Sequence, residues 1–164
     1  MDAIKALKER RSIRKYENKE IPRYILEDII DCGRLAASAN NLQPWKFIVI
    51  TDRQKLQRIA GIATYGKFIA DAGACIAVFG KKDAKYLVED CSAATQNILV
   101  AAKAHGLGSC WVAGYGKEYA EEISKLLHVP EDYTLVSLIS VGYPAENPAK
   151  SKRSLQEVLH WEQY

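Results

Sequence analysis

The sequence predicts a single domain, residues 1–164, with an α+β or α/β fold. Helical and strand patterns alternate along the whole chain, and no linker, repeat or low-complexity stretch interrupts them. The chain has 164 residues, of which 48% are hydrophobic, so folding can bury a core without disulfides or metals as staples. The expected order of elements is two leading helices followed by β-α-β-α-β-α-β.

Two helices are expected before the first strand. Asp2 can cap a short helix over residues 3–9, and Pro22 suits the first turn of a second helix, because the N–H that proline lacks would be unpaired there. The second helix continues through residues 24–37 with apolar side chains on one face, until two asparagines and a proline end it. The β-branched and aromatic run at 45–51 then predicts a buried strand.

The rest of the chain continues this alternation. Asp52 caps the next helix, and the helix after that one, at 84–105, is apolar on nearly all sides. Such a helix is expected either in the middle of the core or at a dimer interface. The elements expected after the first strand are a helix at 53–63, a strand at 74–80, a helix at 84–105, a strand at 108–114, a helix at 117–128 and a strand at 133–144.

The charge and the cysteines argue against several classes of protein. With 23 basic and 20 acidic residues the net charge is +3, which is too small to indicate nucleic acid or a membrane as a partner. The cysteines lie in apolar stretches, form no CxxC motif and follow no signal peptide, so we expect reduced thiols in a cytoplasmic protein. The histidines have no second ligand at metal-binding spacing, so no metal site is expected.

Familiar catalytic motifs do not occur, and two polar segments remain of interest. The sequence has no GxGxxG between a strand and a helix, no phosphate-binding GxxxxGK[ST] and no GxSxG. The segment RRSIR at 10–14 combines guanidinium groups with a hydroxyl, which suits a dianionic phosphate, although a solvated basic turn has the same composition. The segment SANNLQPW at 38–45 offers amide and hydroxyl side chains before a strand, or it simply ends the preceding helix.

The C-terminal segment is expected to dock on a surface. Residues 145–164 are basic at 150–153 and regain an apolar pattern at Leu155 and Val158. A large apolar side chain such as Trp161 is not typical of a free tail. We therefore expect this segment to pack against its own chain or against a partner chain.

Taken together, these segments resemble the nitroreductase family of flavoproteins. The resemblance rests on RRSIRKY, SANNLQPWKF, GLGSCWVAG, and GYP followed by basic residues and SLQEVLHWE. The NxQPW motif at 41–45 is its most specific part. The family implies an α+β fold with a central mixed β-sheet flanked by helices, and a homodimer that exchanges C-terminal segments and binds two FMN molecules at its interface.

The resemblance also implies a role for each part of the FMN site. The basic segment and a cation after GYP would hold the phosphate and ribityl chain; Lys150 and Lys152 match that cation best, with Arg153 as the alternative. The loop after the second helix would reach the flavin from the other subunit, although the usual proline of the family is an alanine here. Backbone N–H groups of Ala113 and Gly114 would point at flavin N5 and O4. The FMN-binding residues implied are Arg10, Arg11, Ser12, Arg14, Ala37, Ser38, Ala39, Asn41, Lys67, Ala113, Gly114, Lys150, Lys152 and Arg153.

Lys67 stands where the family places a group beside the flavin pyrimidine ring. A cation there would stabilise anionic reduced flavin, although Lys67 can equally be a solvated loop residue. Gln43 and Trp45 are expected to anchor the loop and the core rather than to bind FMN. The chain is also shorter than many relatives, so deiodinase-like or flavin-cleaving activities that need a lid are not expected.

The activity that the resemblance implies is an FMN-dependent oxidoreductase in which the cofactor carries the chemistry. NADH or NADPH would give a hydride to the flavin, and an electron-poor acceptor such as a nitroaromatic or a quinone would then take the electrons in a ping-pong cycle. A non-catalytic FMN carrier or sensor is one alternative, and a basic interaction module is another.

Overall fold

The alternation of helices and strands predicted from the sequence is confirmed. The computed structural model describes residues 2–164, and each expected helix and strand occurs in the expected order. Two short 3-10 turns, at Ala39–Asn41 and Lys67–Asp71, are added to them. The elements are α1 (Ala3–Glu9), α2 (Arg23–Arg34), β1 (Trp45–Ile50), α3 (Arg53–Ile62), β2 (Ala74–Lys81), α4 (Leu87–Ala104), β3 (Gly108–Ala113), α5 (Ala120–Leu126) and β4 (Tyr133–Gly142).

Local side chains explain where several helices begin. Asp2 accepts a hydrogen bond from the N–H of Ile4 (3.3 Å), and Asp52 accepts one from the N–H of Lys55 (2.9 Å), so both carboxylates cap the helices predicted for them. Helices α4 and α5 begin later than predicted, because turns precede them. In the turn before α5, Gly116 has φ +67°, a left-handed conformation that a continuing helix does not allow.

The four strands form one sheet in the order β1-β2-β4-β3, and every neighbouring pair is antiparallel. The α+β class is therefore confirmed, but the sheet is not mixed as expected. Within residues 2–164 the isolated parallel contact is a bridge between Ser12 and Ser109. The N-terminal segment crosses from β3 to the end of β4, where Tyr16 pairs with Pro144, so it stays beside β3 too briefly to form a parallel strand.

Two hydrophobic clusters cover the two faces of the sheet. Successive side chains of β2 alternate between them, as the period of two in a strand requires. Ile76 and Val78 pack with α2 and α4, whereas Cys75, Ala77 and Phe79 pack with α3 and α5. The cysteine thiols at 32, 75, 91 and 110 are all free.

Helix α4 lies in the core along its inner side, which is the first of the two positions expected from its apolar sequence. Its inner side, including Cys91, Ala94 and Ile98, is buried in the core, whereas Ala93 and Val100 on its outer side are only partly covered. Helices α1 and α2 pack beside it. Among the helices of residues 2–164, none combines the length and apolar character that a membrane crossing requires.

Most of the C-terminal segment does not pack against its own chain. After β4 it follows the N-terminal segment, with the N–H of Ala145 donating to the carbonyl oxygen of Lys15 (2.9 Å). Residues 151–164 are exposed throughout, and the side chain of Trp161 is 79% exposed. The apolar pattern of this segment therefore has no matching surface within the described part of the chain.

Candidate functional site

The basic segment at 10–16 is fastened to the edge of the sheet. The N–H of buried Ile13 donates to the carbonyl oxygen of Ser109 (3.0 Å), and the carbonyl oxygen of Ile13 accepts from the hydroxyl of Tyr16 (2.6 Å). The Tyr16 hydroxyl shares a further hydrogen bond with Ser140 Oγ (2.7 Å). Burial raises the pKa of Tyr16, so this hydroxyl remains protonated and can donate.

Three polar side chains of this segment influence one buried thiol. Burial raises the pKa of Cys110, while the guanidinium of Arg14, the hydroxyl of Ser12 and the guanidinium of Arg10 oppose that rise. The Arg14 guanidinium also lies over the ring of Phe68, 5.7 Å from its centroid. Within residues 2–164, no carboxylate lies within ion-pair distance of either guanidinium. We name Arg10, Ser12 and Arg14 the phosphate cluster.

Arg11 is used differently from its neighbours. Its Nη1 donates to the carbonyl oxygens of Lys8 (3.0 Å) and Arg10 (2.9 Å), and its Nε donates to the carbonyl oxygen of Lys150 (3.1 Å). Most of its donors are thereby occupied by backbone. Arg11 fastens the C-terminal segment beside the phosphate cluster, a structural role that the sequence did not indicate.

The basic residues that follow GYP are linked to the basic segment by a backbone contact and not by their side chains. Lys150 reaches Arg11 through its carbonyl oxygen, while the side chains of Lys150, Lys152 and Arg153 are exposed. The described ion pairs of residues 2–164 do not include these three cations. They remain available to an anion at the cluster.

Glu146 is a site residue that the sequence reasoning missed. Its Oε1 accepts hydrogen bonds from the backbone N–H groups of Arg14 (2.6 Å) and Lys15 (3.2 Å). It therefore holds the backbone of the phosphate cluster rather than neutralising a guanidinium. The signal in the sequence was a lone acidic residue in an otherwise basic segment.

The far end of β3 presents one backbone donor rather than the two expected. The N–H of Gly114 donates to the carbonyl oxygen of Val136 (3.0 Å), so it is used within the sheet. Because an antiparallel ladder alternates, the N–H and carbonyl of Ala113 turn toward the open edge. The hydroxyl of Tyr119 donates to that carbonyl oxygen, which leaves the Ala113 N–H as the donor at the edge. A Cβ at Gly114 would lie 2.6 Å from Leu135 Cγ, so only glycine fits there.

Lys67 begins the second 3-10 turn and is exposed. Its Nζ donates to the carbonyl oxygen of Gly61 at the end of α3 (3.1 Å). The next residue, Phe68, is the ring beneath Arg14. The structure thus brings this turn beside the phosphate cluster, while the lysine itself is held by the backbone.

The loop after α2 is held in a strained conformation by its own side chains. Asn40 and Asn41 have φ +50° and +54°, and Gln43 has φ +50°, values that asparagine tolerates better than most residues. Gln43 donates to Asn41 Oδ1 (3.1 Å), and Ser38 Oγ accepts from the N–H of Gln43 (3.0 Å), so Gln43 is the loop anchor that was expected. Trp45, expected in the core, is buried.

This loop and the phosphate cluster lie at opposite ends of α4. The N–H of Ala39 donates to Asp90 near the start of α4 (2.9 Å), whereas Glu9, next to the cluster, meets Lys103 near its end (4.0 Å). Asp90 and Lys103 are roughly 20 Å apart at 1.5 Å per helical residue. The loop also precedes β1, and the cluster adjoins β3, at the other edge of the sheet. One small ligand therefore does not touch both within one chain.

The donors along β3 fit a ligand with a phosphate at one end and polar ring atoms at the other. The phosphate cluster adjoins Ser109, and the free N–H of Ala113 lies four residues further, roughly 13 Å along a strand. Ser109 Oγ is buried, and no partner for it occurs within residues 2–164. A phosphorylated flavin has the anionic and acceptor groups that such a row of donors would bind.

Unpaired guanidiniums and a backbone donor along one sheet edge of this α+β fold suit a phosphorylated cofactor. The model of the nitroreductase family matches residues 7–65 and 62–143 of this sequence. The chain belongs to the nitroreductase family.

Relatives and solved structures cover almost the full length. A Methanothermobacter thermautotrophicus protein named for NADH dehydrogenase/NAD(P)H nitroreductase activity is 38% identical over 169 residues, covering 100% of this chain and 88% of its own. A Bacteroides thetaiotaomicron structure with the same naming has TM-score 0.92 and 37% identity, covering 99% of this chain and 98% of its own. The structure of an FMN-dependent nitroreductase from Clostridium difficile has TM-score 0.92 and 31% identity, covering 98% and 99%.

Proposed function

We propose that this protein is an FMN-dependent oxidoreductase that passes electrons from NADH or NADPH to nitroaromatics, quinones or similar electron-poor acceptors in a ping-pong cycle. The observation that carries the proposal is the row of donors along β3, from the unpaired guanidiniums of Arg10 and Arg14 to the Ala113 N–H. The names of the similar proteins, which refer to NAD(P)H and in one case to FMN, agree with it. When bound, FMN supplies the hydride acceptor and the electron donor of the two half-reactions.

The residues at the two ends of β3 have different tasks. Arg10, Ser12 and Arg14 bind the phosphate through charge-assisted hydrogen bonds, because their donors face no carboxylate of the described chain. The Ala113 N–H orients the polar edge of the flavin ring. Lys150, Lys152 and Arg153 add positive charge over the phosphate. The turn that carries Lys67 also reaches the Ala113 end of β3, because Gly66 lies next to Val112, so Lys67 adds positive charge beside the ring.

The proposed site is shared between two copies of the chain. Ala37, Ser38, Ala39 and Asn41 lie too far from the phosphate cluster to reach the same flavin, so the loop of a second copy completes each site. A dimer also covers apolar surface that one chain leaves open. Leu7 on α1 is 52% exposed beside α4, and the C-terminal segment carries Trp161 outward. An exchanged C-terminal segment would bury both surfaces.

The chain's contribution to catalysis is positioning, and no side chain acts as a nucleophile. The segment at 10–16 is fastened by Ser109, Tyr16 and Glu146, so the phosphate is held by a pre-organised group. Bound in this way, the flavin ring would lie between the two chains, where it would be accessible to nicotinamide and acceptor. The free cysteines agree with the cytoplasmic location proposed for such an enzyme.

The proposal is tested with purified protein under anaerobic conditions. The protein is expected to bind FMN in preference to FAD, to lose its yellow colour when NADH or NADPH is added, and to regain it with a quinone. Flavin that binds but is not reduced by either nucleotide would indicate the carrier or sensor instead. Failure of the protein to bind FMN would contradict both the oxidoreductase and the carrier or sensor function.

A further inference from the structure

The open edge at Ala113 carries an acceptor as well as a donor. In an antiparallel strand the N–H and carbonyl of one residue point to the same side, so the Ala113 carbonyl lies next to the N–H that we assign to the flavin. The Tyr119 hydroxyl donates to this carbonyl oxygen. A carbonyl oxygen has two lone pairs, so this hydrogen bond occupies one of them and weakens the oxygen as an acceptor for a ligand at the edge.

Tyr119 is held in place by packing as well as by this hydrogen bond. It precedes α5 and is buried in the cluster that contains Val112, Ile123 and Leu135. Burial raises the pKa of Tyr119, and the neighbouring Tyr65 raises it further. The hydroxyl therefore remains protonated and keeps donating at neutral pH.

We propose that Tyr119 is a positioning residue that sets the redox preference of the bound flavin by engaging the Ala113 carbonyl, so that the sheet edge offers flavin N5 a free donor and only a weakened acceptor. The inference rests on the proposed FMN site. It adds a residue that acts on the cofactor through the backbone of β3 and not by contact.

The hydrogen-bonding chemistry of flavin N5 determines whether the Tyr119 hydroxyl favours the oxidised or the reduced flavin. Oxidised flavin has a lone pair at N5 and accepts a hydrogen bond there, whereas reduced flavin carries a hydrogen on N5. An edge with a free Ala113 N–H and a weakened acceptor therefore favours oxidised flavin. Removing the Tyr119 hydroxyl frees the Ala113 carbonyl oxygen, which can accept from the N5 hydrogen and favour reduced flavin.

The test is Tyr119→Phe, compared with the wild-type protein and with Tyr133→Phe. Tyr133 packs against the same cluster, and no hydrogen bond of its hydroxyl occurs in the described chain, so it controls for the loss of a phenol from this region. The affinities for oxidised and for reduced FMN are measured separately, together with the midpoint potential of the bound flavin. Tyr119→Phe is expected to shift the ratio of the two affinities about 2- to 10-fold toward reduced FMN. A tenfold shift corresponds to about 30 mV in the positive direction for two electrons.

A second variant distinguishes the loss of the hydrogen bond from misfolding of the Tyr119→Phe protein. Replacing Tyr119 by 3-fluorotyrosine keeps its shape but makes the hydroxyl a stronger donor, so the potential should move in the negative direction. An unchanged potential in Tyr119→Phe with FMN bound, or shifts of the same sign in both variants, would overturn the inference and leave the proposed function intact. If the wild-type protein takes up no FMN, the proposed function fails and this inference fails with it.

Discussion

Within the basic segment, the proposed site distinguishes residues that would bind the phosphate from residues that hold the backbone in place. Arg10, Arg11 and Arg14 lie in the same short segment, yet the side chain of Arg11 donates its hydrogen bonds to backbone carbonyl oxygens. The sequence predicted a phosphate site from all three arginines, because composition does not distinguish a free guanidinium from an occupied one. Nor did it single out Tyr119, since its contact with Ala113 depends on how the turn before α5 folds back on the end of β3. These distinctions arise only from tertiary structure.

Arg14→Ala tests the binding group at this scale. A hydrogen bond to a charged group contributes about 1.5 to 3 kcal/mol, so FMN affinity is expected to fall roughly 10- to 150-fold. Arg10 and the cations at 150–153 compensate in part, which places the effect near the lower end. Titration of apoprotein with FMN measures the affinity, and NADH:quinone turnover with FMN in excess should change little. Unchanged affinity would remove Arg14 from the site.

Among the secondary structure elements, types and order followed from the sequence, but some boundaries and contacts did not. The period of apolar residues indicated each helix and strand, whereas α4 and α5 began later because of the turns before them. The use of the Gly114 N–H within the sheet depends on the register of β3 against β4, which no local pattern contains. The close approach of α2 to α4 could likewise not be predicted from the sequence. A Cβ at Gly33 would lie 2.7 Å from Ile98 Cγ1.

Gly33→Ala tests that approach. Alanine favours a helix over glycine by up to about 1 kcal/mol, but overpacking a core costs about 1 to 3 kcal/mol, so a net loss of stability is expected. Gly61→Ala is the matched control, because it lies in α3 and its Cβ would meet nothing within 4 Å. Denaturant unfolding should show Gly33→Ala less stable, and Gly61→Ala more stable, than the wild-type protein. Equal stabilisation of both variants would contradict the close contact.

For the molecule as a whole, the proposed dimer requires each chain to present two incomplete halves of a site. The loop at 37–41 and the phosphate cluster lie at opposite ends of α4 and at opposite edges of the sheet. The C-terminal segment extends away with its apolar side chains uncovered. Trp161 indicated from the sequence that this segment docks on a surface, and the proposed dimer assigns that surface to a second chain.

Deleting residues 154–164 tests this arrangement. The deleted residues are all exposed, so the remaining chain is expected to keep its secondary structure and melt cooperatively. The dimer should weaken at micromolar concentration by light scattering, and FMN affinity should fall with it. Trp161→Ala serves as a milder variant and should shift both quantities in the same direction. A deletion variant that stays dimeric and binds FMN as tightly as the full chain would exclude the exchanged segment.

The distance of roughly 20 Å between the loop and the phosphate cluster along α4 has a thermodynamic consequence. If two chains complete each site, flavin binding and subunit association are linked equilibria, and each strengthens the other by the same factor. Apparent FMN affinity then depends on protein concentration, falling on dilution as dimers dissociate. Flavin in turn holds together chains that would separate without it.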